Sequence, residues 1–212
     1  MNELVFLEPN KIDAVPFTTS DVIAEYAGIA YRSVQKTIET HRMRLESLGI
    51  LRFEITVSGK AGRPKIVFRL TEEQATLLIT FLKNTEVVAN FKTELVRQFF
   101  AMRNELNRRQ MERIALKPIR REMTDVIQQV EDGRWSYKKY TDLAYINVMG
   151  KTAKAVREER NAPVKATAID YMTAEEIHAV AEMQYRIAVL LETGMNYFQI
   201  KGALANRVRL VA

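Results

Sequence analysis

Ala24, Gly28 and Val34 stand four and then six residues apart, and this spacing constrains the fold more than any other feature of the chain. A small residue in one helix lets a second helix cross it closely. A glycine supplies a left-handed turn that other residues resist, and an apolar residue in the second helix fills the space beneath. The first helix is therefore expected to carry Val22, Ile23, Ala24 and Tyr26 and to end near Gly28, with Thr18, Thr19 and Ser20 competing for its N-cap. The second starts at about Ala30. At about 100° per residue, Tyr31, Val34, Ile38, His41, Leu45 and Leu48 fall on one face, and Arg32, Lys36 and Glu39 on the other. The segment reads as one helix to Leu48 or as two with a break near Thr40, stopped by Gly49.

An alternating strand follows. Leu51, Phe53, Ile55 and Val57 point one way, and Arg52, Glu54 and Thr56 the other, the period of a half-buried strand. Residues 58–64 form a glycine-bearing loop, and Ile66–Leu70 return as the second arm of a hairpin. Two short helices and a basic hairpin together predict a winged helix-turn-helix. In such a unit the outward residues at the start of the second helix, here Arg32, Ser33, Gln35 and Lys36, enter a major groove. Arginine and glutamine have the geometry for bidentate contact with guanine and adenine edges. Lys60, Arg63 and Lys65 on the hairpin would grip the flanking backbone, where glycines allow close approach. The bland alternatives are a solvated helix face and an ordinary turn whose cations blunt a strand edge.

Thr71 with Gln74 three residues on is a capping box, opening an apolar helix with Ala75, Leu77, Leu78, Ile79, Phe81 and Leu82. The next helix, from about Val88 to Arg109, has a heptad-like seam: Val88, Phe91, Leu95, Phe99, Met102 and Leu106. Phe91, Leu95, Phe99, Met102 and Leu106 are the candidate oligomerisation residues, and packing within the domain is the competing reading. Residues 108–121, around Pro118, read as a helical linker or joint.

At these residues the chain resembles the phage regulatory protein family called Rha. The resemblance rests on the AxxxG turn, the run GRPxxxFRLT, the helix beginning TEEQATLLI, and NFKTELVRQFFAMRNEL. Ile23, Ala24, Val34, Ile38, Phe68, Leu70, Thr71, Leu77, Leu78, Ala89, Phe91, Lys92, Phe99 and Met102 match, across about residues 18–107. Two positions depart from the family pattern. Tyr31-Arg32 stands where a histidine is common, and Gln74 or Ala75 where a glycine is common. The resemblance implies a phage or prophage regulator that binds double-stranded DNA; the residues themselves suggest no cofactor and no enzymatic activity. Residues 134–205 resemble, more loosely, the C-terminal domains of phage antirepressor proteins, which implies a second possibility: a module that sequesters a repressor protein.

The C-terminal half reads as an all-α interaction domain over residues 134–212, preceded by a linker over 110–133 and the DNA-binding domain over 1–109. Trp135, Tyr137 and Tyr140 beside Lys138 and Lys139 suit stacking on single-stranded bases or, more commonly, packing on the C-terminal helices. Thr141 is a candidate cap. Leu143-Ala144, Gly150 and Val156 loosely echo the first helix-turn-helix. Thr173 with Glu176 forms a second capping box, ahead of a helix with Ile177, Val180, Ala181, Gln184, Ile187 and Leu191 inward; Tyr197, Ile200 and Leu204 make a last one.

Composition agrees with a helical globular protein. Hydrophobic residues make up 47% and charged residues 27%. The net charge of +6 favours a polyanion partner without requiring one. Residues 1–110 carry 16 Lys/Arg against 13 Asp/Glu, so each half holds +3 and specificity must come from local patches. There is no cysteine, which excludes disulfides and thiolate metal sites. Two histidines and no phosphate loop or nucleophile elbow leave no catalytic constellation and no metal site. No apolar run approaches the roughly 20 residues of a membrane span, so the expectation is a cytoplasmic protein of the bacterial host, acting as a homodimer or higher homo-oligomer.

Overall fold

The protein is described by a computed structural model covering residues 3–56, 64–131 and 136–208. It is mainly helical, with one small antiparallel sheet. The chain divides into two compact units, residues 1–9 with 14–104 and residues 10–13 with 105–212. Among the described residues no helix is long and apolar enough to cross a membrane.

In the first unit, strand β1 (Phe17–Thr19) leads into α1 (Ser20–Tyr26), a turn, and α2 (Tyr31–Thr40). Gly28 makes that turn at φ 64°, as its position predicts. Ala24 and Ala27 are buried beside it, and Val34 and Ile38 of α2 are fully buried. The helix breaks at His41, and a short α3 (Arg42–Glu46) follows. His41 keeps a structural role, stacked on Phe81 at 3.7 Å between ring centroids. The break turns the chain, so Leu45 is fully buried while Leu48, expected on the same face, is exposed.

Strands β2 (Arg52–Thr56) and β3 (Lys65–Thr71) pair antiparallel, and β3 also pairs with β1, giving the order β1-β3-β2. In register, Phe53 faces Phe68 and Ile55 faces Ile66. The expected half-burial of β2 fails. Phe68 and Leu70 of β3 fill the core, but Phe53 and Ile55 are 51% and 59% exposed, because this arm of the hairpin runs past the packed elements. Val57 and the loop tip with Lys60 and Arg63 lie outside the described residues.

Helix α4 (Glu72–Thr80) opens with the predicted capping box: the Thr71 hydroxyl accepts from the Gln74 amide, and the Gln74 side chain accepts from the Thr71 amide. Gln74 does more than cap. It is fully buried, and its Nε2 donates to the carbonyls of Leu45 at 3.3 Å and Gly49 at 3.0 Å. One side chain thus satisfies the start of α4 and carbonyls at the end of α3, which explains why a glutamine is kept where a glycine would leave these groups bare. Gln74→Ala should lower stability by about 2–3 kcal/mol, since it orphans several buried polar groups. Urea unfolding with an unchanged m-value is the check, and a loss below roughly 0.5 kcal/mol would contradict this accounting.

The largest correction concerns α5, one helix from Glu86 to Val130 with Pro118 inside it. The segment expected as a helical linker is helical to Val130 and continuous with the helix before it, without a joint at Pro118. Proline removes one helical hydrogen bond and crowds the preceding turn. Here Leu116 and Ile119 on either side are anchored in one core of the second unit, and Met123, Val126 and Ile127 in another, so packing overrides the break. The first stretch of α5 supplies Val88, Phe91, Leu95 and Phe99 to the core of the first unit, with Met102 packed on it.

The second unit continues with α6 (Ser136–Met149), α7 (Ala153–Glu159), a 3-10 turn (Ala168–Tyr171), α8 (Ala174–Glu192) and α9 (Tyr197–Val208). Thr141 lies inside α6, its hydroxyl donating to the Tyr137 carbonyl, so it does not cap; the start of α6 lies further back. Tyr140 is fully buried, donates to Glu131 at 2.6 Å and meets Tyr197 edge-on, so it packs on the helices, whereas Tyr137 is exposed. The Thr173–Glu176 capping box forms, and Ile177, Val180, Ala181, Gln184, Ile187 and Leu191 are all buried as the periodicity requires.

Candidate nucleic-acid interface

The surface of interest is built from α1, α2 and the hairpin, and one polar cluster locks these three together. The Tyr31 hydroxyl, at the start of α2, donates to the Ile66 carbonyl on β3. Gln35, one turn on, donates through Nε2 to the same carbonyl at 2.9 Å. Lys65 lies over the Tyr31 ring, 4.3 Å from its centroid, and pairs with Asp21 of α1 at 3.6 Å. Behind them the buried Ser20 hydroxyl accepts from the Phe68 amide at 3.0 Å. Three segments far apart in sequence are thus held at one corner by side chains of α1 and α2.

This arrangement sorts the expected contact residues. Arg32, Ser33 and Lys36 lie together on the outer face of α2, exposed, and neither Arg32 nor Lys36 forms an ion pair among the described residues. Gln35 and Lys65 are brought to the same corner but serve the scaffold, since the Gln35 donor and the Lys65 charge are already engaged. The position of Lys60 and Arg63 lies outside the described residues. Tyr31 and Asp21 are the site residues that sequence reasoning missed. A signal for Tyr31 was present: an aromatic with a polar tip on an apolar helix face needs a hydrogen-bond partner.

Burial of Asp21 opposes its ionisation, but the Thr19 hydroxyl, the Lys65 charge and the neighbouring amides outweigh it and hold the carboxyl below its ordinary 3.8. A carboxyl lowered on folding adds stability above that ordinary value and loses it as pH falls through the folded one. With Asp21 and Lys65 side chains 40% and 44% exposed, the contribution should stay under about 1 kcal/mol. Asp21→Asn should therefore cost little near neutral pH, and the cost should vanish as the pH drops below 3.8. It should also free Lys65, so that any polyanion bound at this corner would be held about threefold more tightly at low salt and negligibly so at high salt. Titrations at two ionic strengths check this, and a salt-independent change would argue against release of Lys65.

The candidate oligomerisation residues fall elsewhere. Phe91, Leu95 and Phe99 are 5%, 1% and 2% exposed in the core of their own unit. Met102 is partly buried against that core, and Leu106 is half-buried. The seam is spent inside the domain, because α1, α4 and the N-terminal segment already cover it. His178 contacts Glu112 at 3.1 Å, and among the described residues no group of three or more His, Asp or Glu side chains is placed to hold a metal ion.

Comparison with known proteins finds a similarity within the first unit. The chain finds no match among curated proteins. Residues 18–104, from β1 to the middle of α5, match the family model described as phage regulatory protein Rha. Over that region the chain is similar to the phage regulatory protein Rha family.

Proposed function

We propose that this chain is a phage-type transcriptional regulator that binds double-stranded DNA through a winged helix-turn-helix made of α1, α2 and the β2–β3 hairpin. One observation carries the reading. The inner face of α2 is fixed by Val34, Ile38, Tyr31 and Gln35, while its outer face leaves Arg32, Ser33 and Lys36 exposed. A helix held rigidly behind and bare of protein contacts in front suits insertion into a major groove. The hairpin arm, tied to α2 through Ile66, then tracks the neighbouring backbone. Similarity of residues 18–104 to the phage regulatory protein Rha family supports the regulatory role. Dimers on a two-fold site would place two α2 helices about one helical turn apart. The test is protection mapping on DNA flanking the protein's own gene, combined with gel shifts across a salt series. Binding no tighter than to random DNA at moderate salt would refute the proposal.

A second reading, sequestration of a repressor protein by the C-terminal unit, has one feature in its favour. Tyr185, Val189, Leu190 and Leu204 line an apolar groove of about 370 Å³, and Tyr185 is half exposed. In a promoter-reporter assay this reading requires Val189→Glu to abolish regulation while Arg32→Ala leaves it intact. The DNA-binding reading requires the reverse.

A further inference from the structure

The C-terminal unit contains a cleft of about 400 Å³ whose lining is unusual in charge. Arg120 of α5, Lys138 of α6, and Lys154 and Arg157 of α7 all border it, against the single carboxylate Asp142. Cations on a protein surface normally sit near carboxylates that offset them. Here Lys154 has only a loose, exposed pairing with Glu158 at 3.7 Å. Arg120, Lys138 and Arg157 have no ion-pair partner among the described residues.

Tyr145 supplies an independent observation. It lines the same cleft, is 3% exposed, and its hydroxyl makes no hydrogen bond among the described residues. The hydroxyl is not enclosed by protein, so it is free to donate to an anionic oxygen of a ligand in the cleft. The cleft also has the shape of a binding site rather than a flat patch. The volume is in the range of small-ligand pockets. Tyr137, more exposed, offers an aromatic ring, and Ala168 and Ile169 an apolar floor.

The fold explains how α7 reaches the cleft. Gly150, at φ 70°, turns the chain after α6, and Ala144 and Val156 are fully buried beneath the turn. The loose echo of a helix-turn-helix at Leu143-Ala144, Gly150 and Val156 is thus a real turn. Its second helix has seven residues and sets Lys154 and Arg157, one turn apart, at the cleft edge.

We propose that this cleft is a nucleotide-binding site: the phosphate sits among Arg120, Lys138, Lys154 and Arg157 and bonds the Tyr145 hydroxyl, and the base lies toward Tyr137 with Asp142 accepting from an exocyclic amine or ribose hydroxyl. The nucleotide comes either free or as the terminus of a single strand, since the recognised chemistry is the same. The site is separate from the α2 face, so it stands or falls independently of the DNA-binding reading.

The experiment is calorimetric titration of the full chain carrying Arg32→Ala and Lys36→Ala, which removes the proposed duplex-binding face. The probes are adenosine and guanosine monophosphates, a 5′-phosphorylated single-stranded tetranucleotide, inorganic phosphate, and a short duplex. Saturable binding of a mononucleotide or of the tetranucleotide supports the site, and the tighter of the two identifies the source. Arg157→Ala should weaken that binding at least tenfold. Tyr145→Phe, which keeps the ring and the packing, should weaken it about three- to tenfold with an unchanged thermal midpoint. The proposal is overturned if neither nucleotide probe saturates by several millimolar. It is equally overturned if Arg157→Ala and Tyr145→Phe, folded by circular dichroism, bind as the parent does, if inorganic phosphate binds as tightly as the nucleotides, or if only the duplex binds.

Discussion

Replacing Arg32 and Lys36 together by alanine should abolish sequence-specific DNA binding while leaving the protein as stable as before. Both side chains are exposed on the outer face of α2, and neither has an ion-pair partner among the described residues. Their removal therefore takes nothing from the fold, and alanine is the best helix former. Each lost contact to a base edge or phosphate is worth about 1–3 kcal/mol, so the pair should weaken specific binding by roughly a hundredfold or more. If both also neutralise phosphates, the salt slope should fall by about 1–2. The thermal midpoint should hold to within about 0.5 kcal/mol of equivalent stability. Gln35→Ala makes the contrast. Its amide donates to the Ile66 carbonyl, so truncation should cost about 1 kcal/mol of stability and loosen the hairpin before it touches any base. Gel shift and thermal melting on the same samples separate the two classes. Specific binding unchanged in the Arg32→Ala/Lys36→Ala double variant would remove α2 from the interface.

Local chemistry was legible in the sequence wherever one segment decided the outcome. The Gly28 turn, both capping boxes and the inward face of α8 are fixed by residues within a few positions of one another, and all form as read. Misreadings arose where a distant partner decided. Pro118 reads as a joint because proline opposes a helix interior, yet Leu116 and Met123 are buried, and Ile119 partly buried, against elements that follow much later in the chain. Gln35 and Lys65 read as free polar groups because their partners, the Ile66 carbonyl and Asp21, are 31 and 44 residues away. Alternation in β2 correctly predicts a strand but not burial, since burial depends on what covers the hairpin. The same limit explains the cleft of the second unit: Arg120, Lys138 and Arg157 come from three separate helices, and no spacing in the sequence announces their meeting.

The seam on α5 allows the most severe test of the fold. Phe99 and Phe100 are adjacent, but Phe99 is 2% exposed in the core with Leu95 and Phe91, while Phe100 is 49% exposed. Phe99→Ala should cost about 3–5 kcal/mol, the sum of lost transfer energy and the cavity left behind. For a unit of this size that lowers the thermal midpoint by more than about 10 °C. Phe100→Ala should cost about 1 kcal/mol or less, mostly through its contact with the Arg103 guanidinium, 4.4 Å from the ring centroid. The two readings of the seam differ in a second measurement. If Phe99 packs within its own chain, the variant held at a temperature where it remains folded keeps the parent's mass in light scattering, because the loss falls on the fold of each chain. If the seam joined two chains, the same substitution would lower the mass at low protein concentration and leave each chain's fold intact. A folded Phe99→Ala variant that dissociates and loses little stability per chain would overturn the placement of this seam in the core. That result would return α5 to the interface between protomers. Any self-association of the native protein must otherwise use a surface that the core leaves free, and on this part of α5 Phe100 is such a residue.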